Sequence, residues 1–63
     1  MYTFKAVAQD GGVAIRVGYN GDSIDYEGPT LWGAMCALKS GADPRTIAAF
    51  ERWLSLHLMT ATP

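Results

Sequence analysis

The sequence predicts an α+β fold, in which a three-stranded antiparallel β-meander is followed by two α-helices packed on one face of the sheet. Three observations indicate this β-β-β-α-α order. The first half of the chain alternates apolar and polar residues with the period of two that a half-buried strand requires. Two dipeptides that favour two-residue hairpin turns, Asp10-Gly11 and Asn20-Gly21, interrupt this alternation. The second half changes to the periodicity of amphipathic helices.

The alternating segments define three strands, over about residues 2–9, 13–19 and 22–27. If both dipeptides form the turns, Phe4 lies opposite Val17, and Val17 lies opposite Ile24. A slip of one residue would turn every side chain to the other face, so the agreement of two turns on one apolar face supports this register. The predicted core face comprises Phe4, Ala6, Ile15, Val17, Ile24 and Tyr26.

The opposite face of the predicted sheet is polar, and we expect it to face solvent. In the same register Arg16 lies opposite Asp25, which places unlike charges on neighbouring strands. Such cross-strand pairs stabilise a sheet modestly. The charged residues of this face are Lys5, Arg16, Asp25 and Glu27.

The first helix is predicted over about residues 30–40. Thr30 is suited to cap its N-terminus, and Gly41 occupies the position favoured for a left-handed C-terminal cap. Two small residues, Gly33 and Ala37, would allow another element to approach the helix backbone closely. The heavy apolar stripe, which we expect to face the sheet, comprises Leu31, Met35 and Leu38.

The second helix is predicted over about residues 44–59, with Asp43 as its cap, Pro44 in the first helical position and residues 60–63 as a frayed tail. Its apolar arc is wider than a small sheet needs, so we expect part of it to be buried against another chain. Two stripes form the arc, Ile47, Phe50, Leu54 and Leu58 in one and Ala49, Trp53 and Leu56 in the other. The exposed strip comprises Ala48, Glu51, Arg52 and Ser55.

Length and composition restrict the function. A chain of 63 residues is expected to form a single domain over residues 1–63, because a domain of this size has only one small core. Its one cysteine, Cys36, and its one histidine, His57, cannot supply a catalytic triad, a two-histidine metal site or an internal disulfide. We therefore expect no enzyme activity, no catalytic residues, no metal and no cofactor.

Charge and hydropathy restrict the partners. The formal net charge of -1 and the pI of about 5.5 disfavour nucleic acid, which binds a basic face. No apolar run approaches the ~20 residues that span a bilayer, and no basic stretch followed by an apolar segment opens the sequence. Sparse cysteine fits a reducing compartment. We expect a cytoplasmic protein with a protein partner and no membrane.

Five side chains carry alternatives. Cys36 is expected to be a small buried or half-buried hydrophobe rather than a reactive thiol. We expect His57 to be a partly buried structural histidine and not a ligand or a base, and Trp32 to lean toward the core. For Trp53 and Leu56, burial in the core and use at an interface are both open, since the other stripe already faces the sheet. Exposed tryptophans are candidate hot spots.

Three carboxylates, Asp22, Asp25 and Glu27, lie in the second hairpin. Exposed carboxylates in such positions are typical of solvated residues that protect a sheet edge from pairing. The functional alternative is an acidic patch that docks on a basic groove of a partner.

In its small size, its low cysteine content and its lack of an enzymatic motif, the chain resembles the very small inhibitor proteins of phages and other mobile elements, anti-CRISPR proteins among them. The resemblance covers no specific residues. It implies stoichiometric binding that blocks a host protein complex, in the host cytoplasm. The alternatives are a structural or accessory homodimer formed through the C-terminal helix, and a nucleic-acid-binding regulator. Candidate partner-binding residues are Lys5, Arg16, Asp22, Asp25, Glu27, Trp32, Trp53 and Leu56.

Overall fold

A computed structural model describes the backbone of residues 1–61 and the side chains of residues 1–57. An antiparallel sheet of three strands in the order β1-β2-β3 precedes two helices, which confirms the predicted α+β class. The elements are β1 Tyr2–Gln9, β2 Gly12–Tyr19, β3 Asp22–Gly28, α1 Leu31–Gly41 and α2 Pro44–Ala61. Residues 60 and 61 belong to α2 rather than to the expected tail, and residues 62 and 63 of that tail lie outside the described chain.

The strand register is the one that the two turns predict. Phe4 pairs with Val17 across β1 and β2, and Val17 pairs with Ile24 across β2 and β3. The second turn has positive φ at both central residues, 52° at Asn20 and 84° at Gly21, as a type I′ turn requires. In the first turn only Gly11 has positive φ, 79°, so that turn has another geometry although it also joins its strands through two residues.

The core lies between one face of the sheet and the two helices. Its buried cluster comprises Ile15, Val17, Ala34, Leu38 and Phe50. Four residues of the predicted core face are not in it: Phe4 and Tyr26 are partly buried and pack against the cluster, whereas Ala6 is exposed and Ile24 is 60% exposed. The first helix reaches β3 at Gly28 and Tyr26, whereas Ile24 lies nearer the second turn, at a concavity between the sheet and the N-terminal turn of α2.

The rotation of α1 about its axis differs from the prediction. Ala34 and Leu38 are fully buried, whereas Leu31, the first residue of the predicted stripe, is 49% exposed. A contact between backbones explains the difference, because a Cβ atom added at Gly28 would overlap the backbone of Gly33 and Ala34. The end of β3 therefore lies directly against the first turn of α1, and this close approach brings the small side of the helix to the sheet.

Only one of the two predicted caps of α1 is correct. The hydroxyl of Thr30 accepts a hydrogen bond of 3.2 Å from the Gly33 N–H, as expected of an N-cap. The predicted left-handed cap at Gly41 is wrong, since Gly41 is the last helical residue and the C-cap is Ala42 in an extended conformation with φ -85°. Gly41 instead accommodates the ring of Tyr26, whose Cε1 would lie 3.5 Å from an added Cβ.

The second helix begins as the sequence indicates and packs through aromatic rings. Asp43 Oδ1 accepts a hydrogen bond of 2.8 Å from the Thr46 N–H. Phe50 is 1% exposed and meets Phe4 of β1 edge-on, with ring centroids 5.5 Å apart. The strip of Ala48, Glu51, Arg52 and Ser55 is exposed, as predicted. The side chain of Leu58, placed in the predicted inner stripe, lies outside the described part of the chain.

Candidate protein-binding surfaces

Arg16 and Asp25 form an ion pair on the open face of the sheet. Arg16 donates two hydrogen bonds to the carboxylate of Asp25, Nε to Oδ1 at 2.9 Å and Nη2 to Oδ2 at 3.2 Å. The hydrogen bond from Arg16 holds the pKa of Asp25 below its ordinary value. Lys5 and Glu27 are exposed on the same face, so the four candidate residues there comprise two of each sign. The face is charge-balanced, and its central pair is already satisfied within the chain.

The three carboxylates of the second hairpin do not form one acidic patch. Because side chains alternate along β3, Asp25 and Glu27 point to the open face. Asp22 pairs in register with Tyr19 and lies on the other face, beside Ile24 and Tyr26. Asp22 is thus separated from the acids with which the sequence associates it.

Trp32 and Cys36 lie one turn apart on the solvent side of α1. Trp32 is 74% exposed and Cys36 is an exposed free thiol, so the expectations of burial are wrong for both. The rotation of α1 is the cause, since each residue is two positions from Ala34 and therefore roughly 200° around the helix from this buried contact. Leu31, next to Trp32, is also exposed.

An apolar cleft opens between the two helices above the sheet, with a volume of about 160 Å³. Engineered apolar cavities of about 150 Å³ admit a benzene molecule, so this cleft has room for one aromatic or branched aliphatic group. A weak ion pair also joins the two helices, from Lys39 Nζ to Glu51 Oε2 at 3.9 Å. The residues that line the cleft include Ile15, Leu31, Met35, Phe50, Trp53 and Leu54.

Trp53 belongs to an aromatic cluster rather than to a free surface. It is half-buried, and its ring centroid lies 5.6 Å from that of Phe4 and 5.9 Å from that of Phe50. His57 stacks on it at 5.3 Å with an interplanar angle of 15° and is exposed, so the expected partial burial of His57 is wrong. Leu56 is 56% exposed. Of the predicted second stripe of α2, only Leu56 is largely available to a partner.

A second concavity, which we call the tyrosine pocket, lies between the core face near the second turn and the N-terminal turn of α2 and has a volume of about 340 Å³. The lining rings are those of Tyr2, Tyr19 and Tyr26, together with the exposed Ile24. Charged residues at its rim are Asp22, Asp43 and Arg45. The sequence does not reveal this pocket directly, although its alternation places the three tyrosines on one face of the sheet.

The described side chains contain no group of three or more His, Cys, Asp or Glu residues placed to hold a metal ion. Neither described helix combines the length and the apolarity needed to cross a membrane. No family model matches the chain, and no similar curated protein or solved structure is found. The chain is thus defined by its fold, a β-meander with two helices on one face, and by the surfaces that this fold exposes.

Proposed function

We propose that the chain is a small non-enzymatic module that binds another protein through the Trp32 patch, defined as Trp32, Leu31 and the adjoining apolar cleft. The carrying observation is the 74% exposure of Trp32 beside a leucine that lines the cleft. Tryptophan is among the residues most enriched at the energetic centres of protein interfaces. A large exposed aromatic next to an apolar recess is therefore the arrangement from which binding energy is most readily gained.

The patch offers two complementary contacts. A partner that covers Trp32 and Leu31 removes both side chains from water, and complete burial of one large apolar side chain contributes about 1.5 to 3 kcal/mol. The cleft beside them accepts one apolar side chain of the partner, given its volume of about 160 Å³. A projecting indole and a neighbouring recess together fix the position of a partner more closely than either does alone.

The other candidate surface contributes less to this proposal. On the open sheet face the guanidinium of Arg16 is already bonded to Asp25, so a partner would have to replace hydrogen bonds that the chain makes internally. The net charge of -1 supplies no attraction for a phosphate backbone. A narrower form of the proposal follows from the resemblance to phage inhibitors. In that form the chain inhibits a host protein complex in the cytoplasm by stoichiometric binding.

The test is photo-crosslinking from the proposed surface. Cys36, which is exposed one turn from Trp32, is replaced by p-benzoyl-phenylalanine so that Trp32 stays in place, and position 52 on the exposed strip of α2 is replaced in the control. The proposal expects a protein that crosslinks from position 36 but not from position 52. Unlabelled wild-type chain should compete for it, whereas the Trp32→Ala variant should not. Equal competition by Trp32→Ala, or equal crosslinking from both positions, contradicts the proposal.

A second copy of the chain is the alternative partner, favoured by the exposure of Leu56 on α2. Sedimentation equilibrium separates the two cases. A monomer at high concentration excludes the homodimer. A dimer that Leu56→Asp dissociates and Trp32→Ala leaves intact would replace the proposed function.

A further inference from the structure

The tyrosine pocket lies at the end of β2 and β3 nearest the second turn, between the sheet and the N-terminal turn of α2. Tyr2 and Tyr19 stack across β1 and β2 with ring centroids 4.5 Å apart. Tyr19 remains 44% exposed, so much of its surface is open to a ligand. The exposed side chain of Ile24 also lines the pocket. Phenol rings and an aliphatic side chain line this concavity. It is therefore suited to a long side chain whose aliphatic part packs on Ile24 and whose end group contacts the rings.

The charges at the rim decide which kind of side chain fits. The charged residues that line the pocket are two acids, Asp22 and Asp43, and one base, Arg45. The hydrogen bonds that Asp43 receives from Thr46 keep its pKa below the ordinary value, so its carboxylate stays ionised at neutral pH. The backbone bond caps the N-terminus of α2, so the Thr46 N–H is not free to bind an anion. The described residues give Asp22 no ion-pair partner.

We propose that the tyrosine pocket takes the cationic side chain, arginine or lysine, of a protein partner. The cation lies over the face of Tyr19 and makes a charge-assisted contact with Asp22, while its aliphatic stem packs on Ile24. A cation over an aromatic ring is attracted by the negative face of the ring, and a nearby carboxylate strengthens the binding. Arg45 opposes this binding, because it places a like charge at the same rim. The inference goes beyond the Trp32 patch and rests on the proposed function only in taking the source of the cation to be a protein.

The test uses defined probes. N-acetyl-arginine amide is compared with N-acetyl-citrulline amide, which has nearly the same shape without the charge, by titration into the ¹⁵N-labelled chain. An isolated side chain of this size is expected to bind with a dissociation constant on the order of 10 mM. Amide shifts at Tyr19, Asp22 and Ile24 should report the binding. The arginine probe should bind about threefold more tightly than the citrulline probe.

Three variants assign the preference to the rim. Asp22→Asn should abolish it, whereas Asp10→Asn, the same change at the first turn outside the pocket, should leave it intact. Arg45→Gln should strengthen arginine binding about twofold, because it removes the competing cation. The spectrum of each variant shows directly whether the chain is folded.

The inference is overturned if the two probes bind equally, if Asp22→Asn keeps the preference, or if no pocket amide shifts at 50 mM probe. These outcomes are independent of the Trp32 patch, since the probes report on the pocket without any protein partner. If the crosslinking experiment fails and these titrations succeed, the pocket binds a cation that does not come from the partner of the Trp32 patch.

Discussion

The ring of Phe4 on β1 meets the ring of Phe50 on α2 edge-on, with centroids 5.5 Å apart and planes inclined at 63°. This contact joins the second helix to the sheet, and Trp53 extends it by stacking beside Phe50. Edge-to-face aromatic pairs add stability beyond the area that they bury. Aromatic rings therefore contribute to the attachment of α2 together with Ile47 and Leu54, whereas α1 combines buried side chains with a backbone contact at the end of β3.

Truncation of Phe50 should consequently be severe. Phe50→Ala is expected to lower the free energy of unfolding by about 3 to 5 kcal/mol, because it removes a fully buried ring and leaves a cavity. That is a large share of the few kcal/mol expected for a chain of this length. Urea unfolding followed by circular dichroism measures it. Leu56→Ala, on an exposed position of the same helix, is the control and should change the unfolding midpoint little.

Neighbouring residues of β2 test the strand register. Ile15→Ala should lower the free energy of unfolding by about 2 to 5 kcal/mol, because Ile15 is in the buried cluster. Arg16→Ala should cost only a small fraction of that, since its ion pair lies at the surface. Equal effects of the two substitutions on the urea midpoint would show that the core face is misassigned.

Replacement by alanine should change the stability differently at two glycines. Gly28→Ala is expected to destabilise the fold by about 1 to 3 kcal/mol, because the new methyl group would overlap the first turn of α1. Gly41→Ala should be neutral or stabilise by up to about 1 kcal/mol, since it adds a better helix former with room beside Tyr26. Thermal unfolding measures both. A stable Gly28→Ala variant would contradict the backbone contact that positions α1.

The sequence predicts the features that depend on interactions between residues near each other in the chain, and it misses those that depend on contacts between distant elements. Alternation and turn chemistry are local, so they determine the strands, the register and the Arg16–Asp25 pair. The rotation of α1 depends on a contact between Gly28 and Gly33 that forms only when the strand and helix meet, and periodicity does not reveal it. The errors at Trp32 and Cys36 come from that one contact. One of these residues, Trp32, carries the proposed function.

The surface ion pair predicts a pH dependence. The pKa of Asp25 is lowered from 3.8 in the folded chain by the hydrogen bond from Arg16. Its contribution to stability is therefore present above the unfolded pKa and is lost as the pH falls through the folded pKa. Carboxyl ¹³C titration should give Asp25 a pKa below the ordinary value of an aspartate, and Arg16→Gln should raise that pKa toward the ordinary value. An unchanged pKa in Arg16→Gln would show that the pair does not form in solution.

Isothermal titration of the partner found by crosslinking measures how much of its binding depends on Trp32. We expect Trp32→Ala to weaken the affinity by about 30-fold or more, as for a hot-spot tryptophan, with an unchanged circular dichroism spectrum. Arg52→Ala, on the exposed strip of α2, should change it by less than about threefold. Similar affinities of wild type and Trp32→Ala would contradict the account.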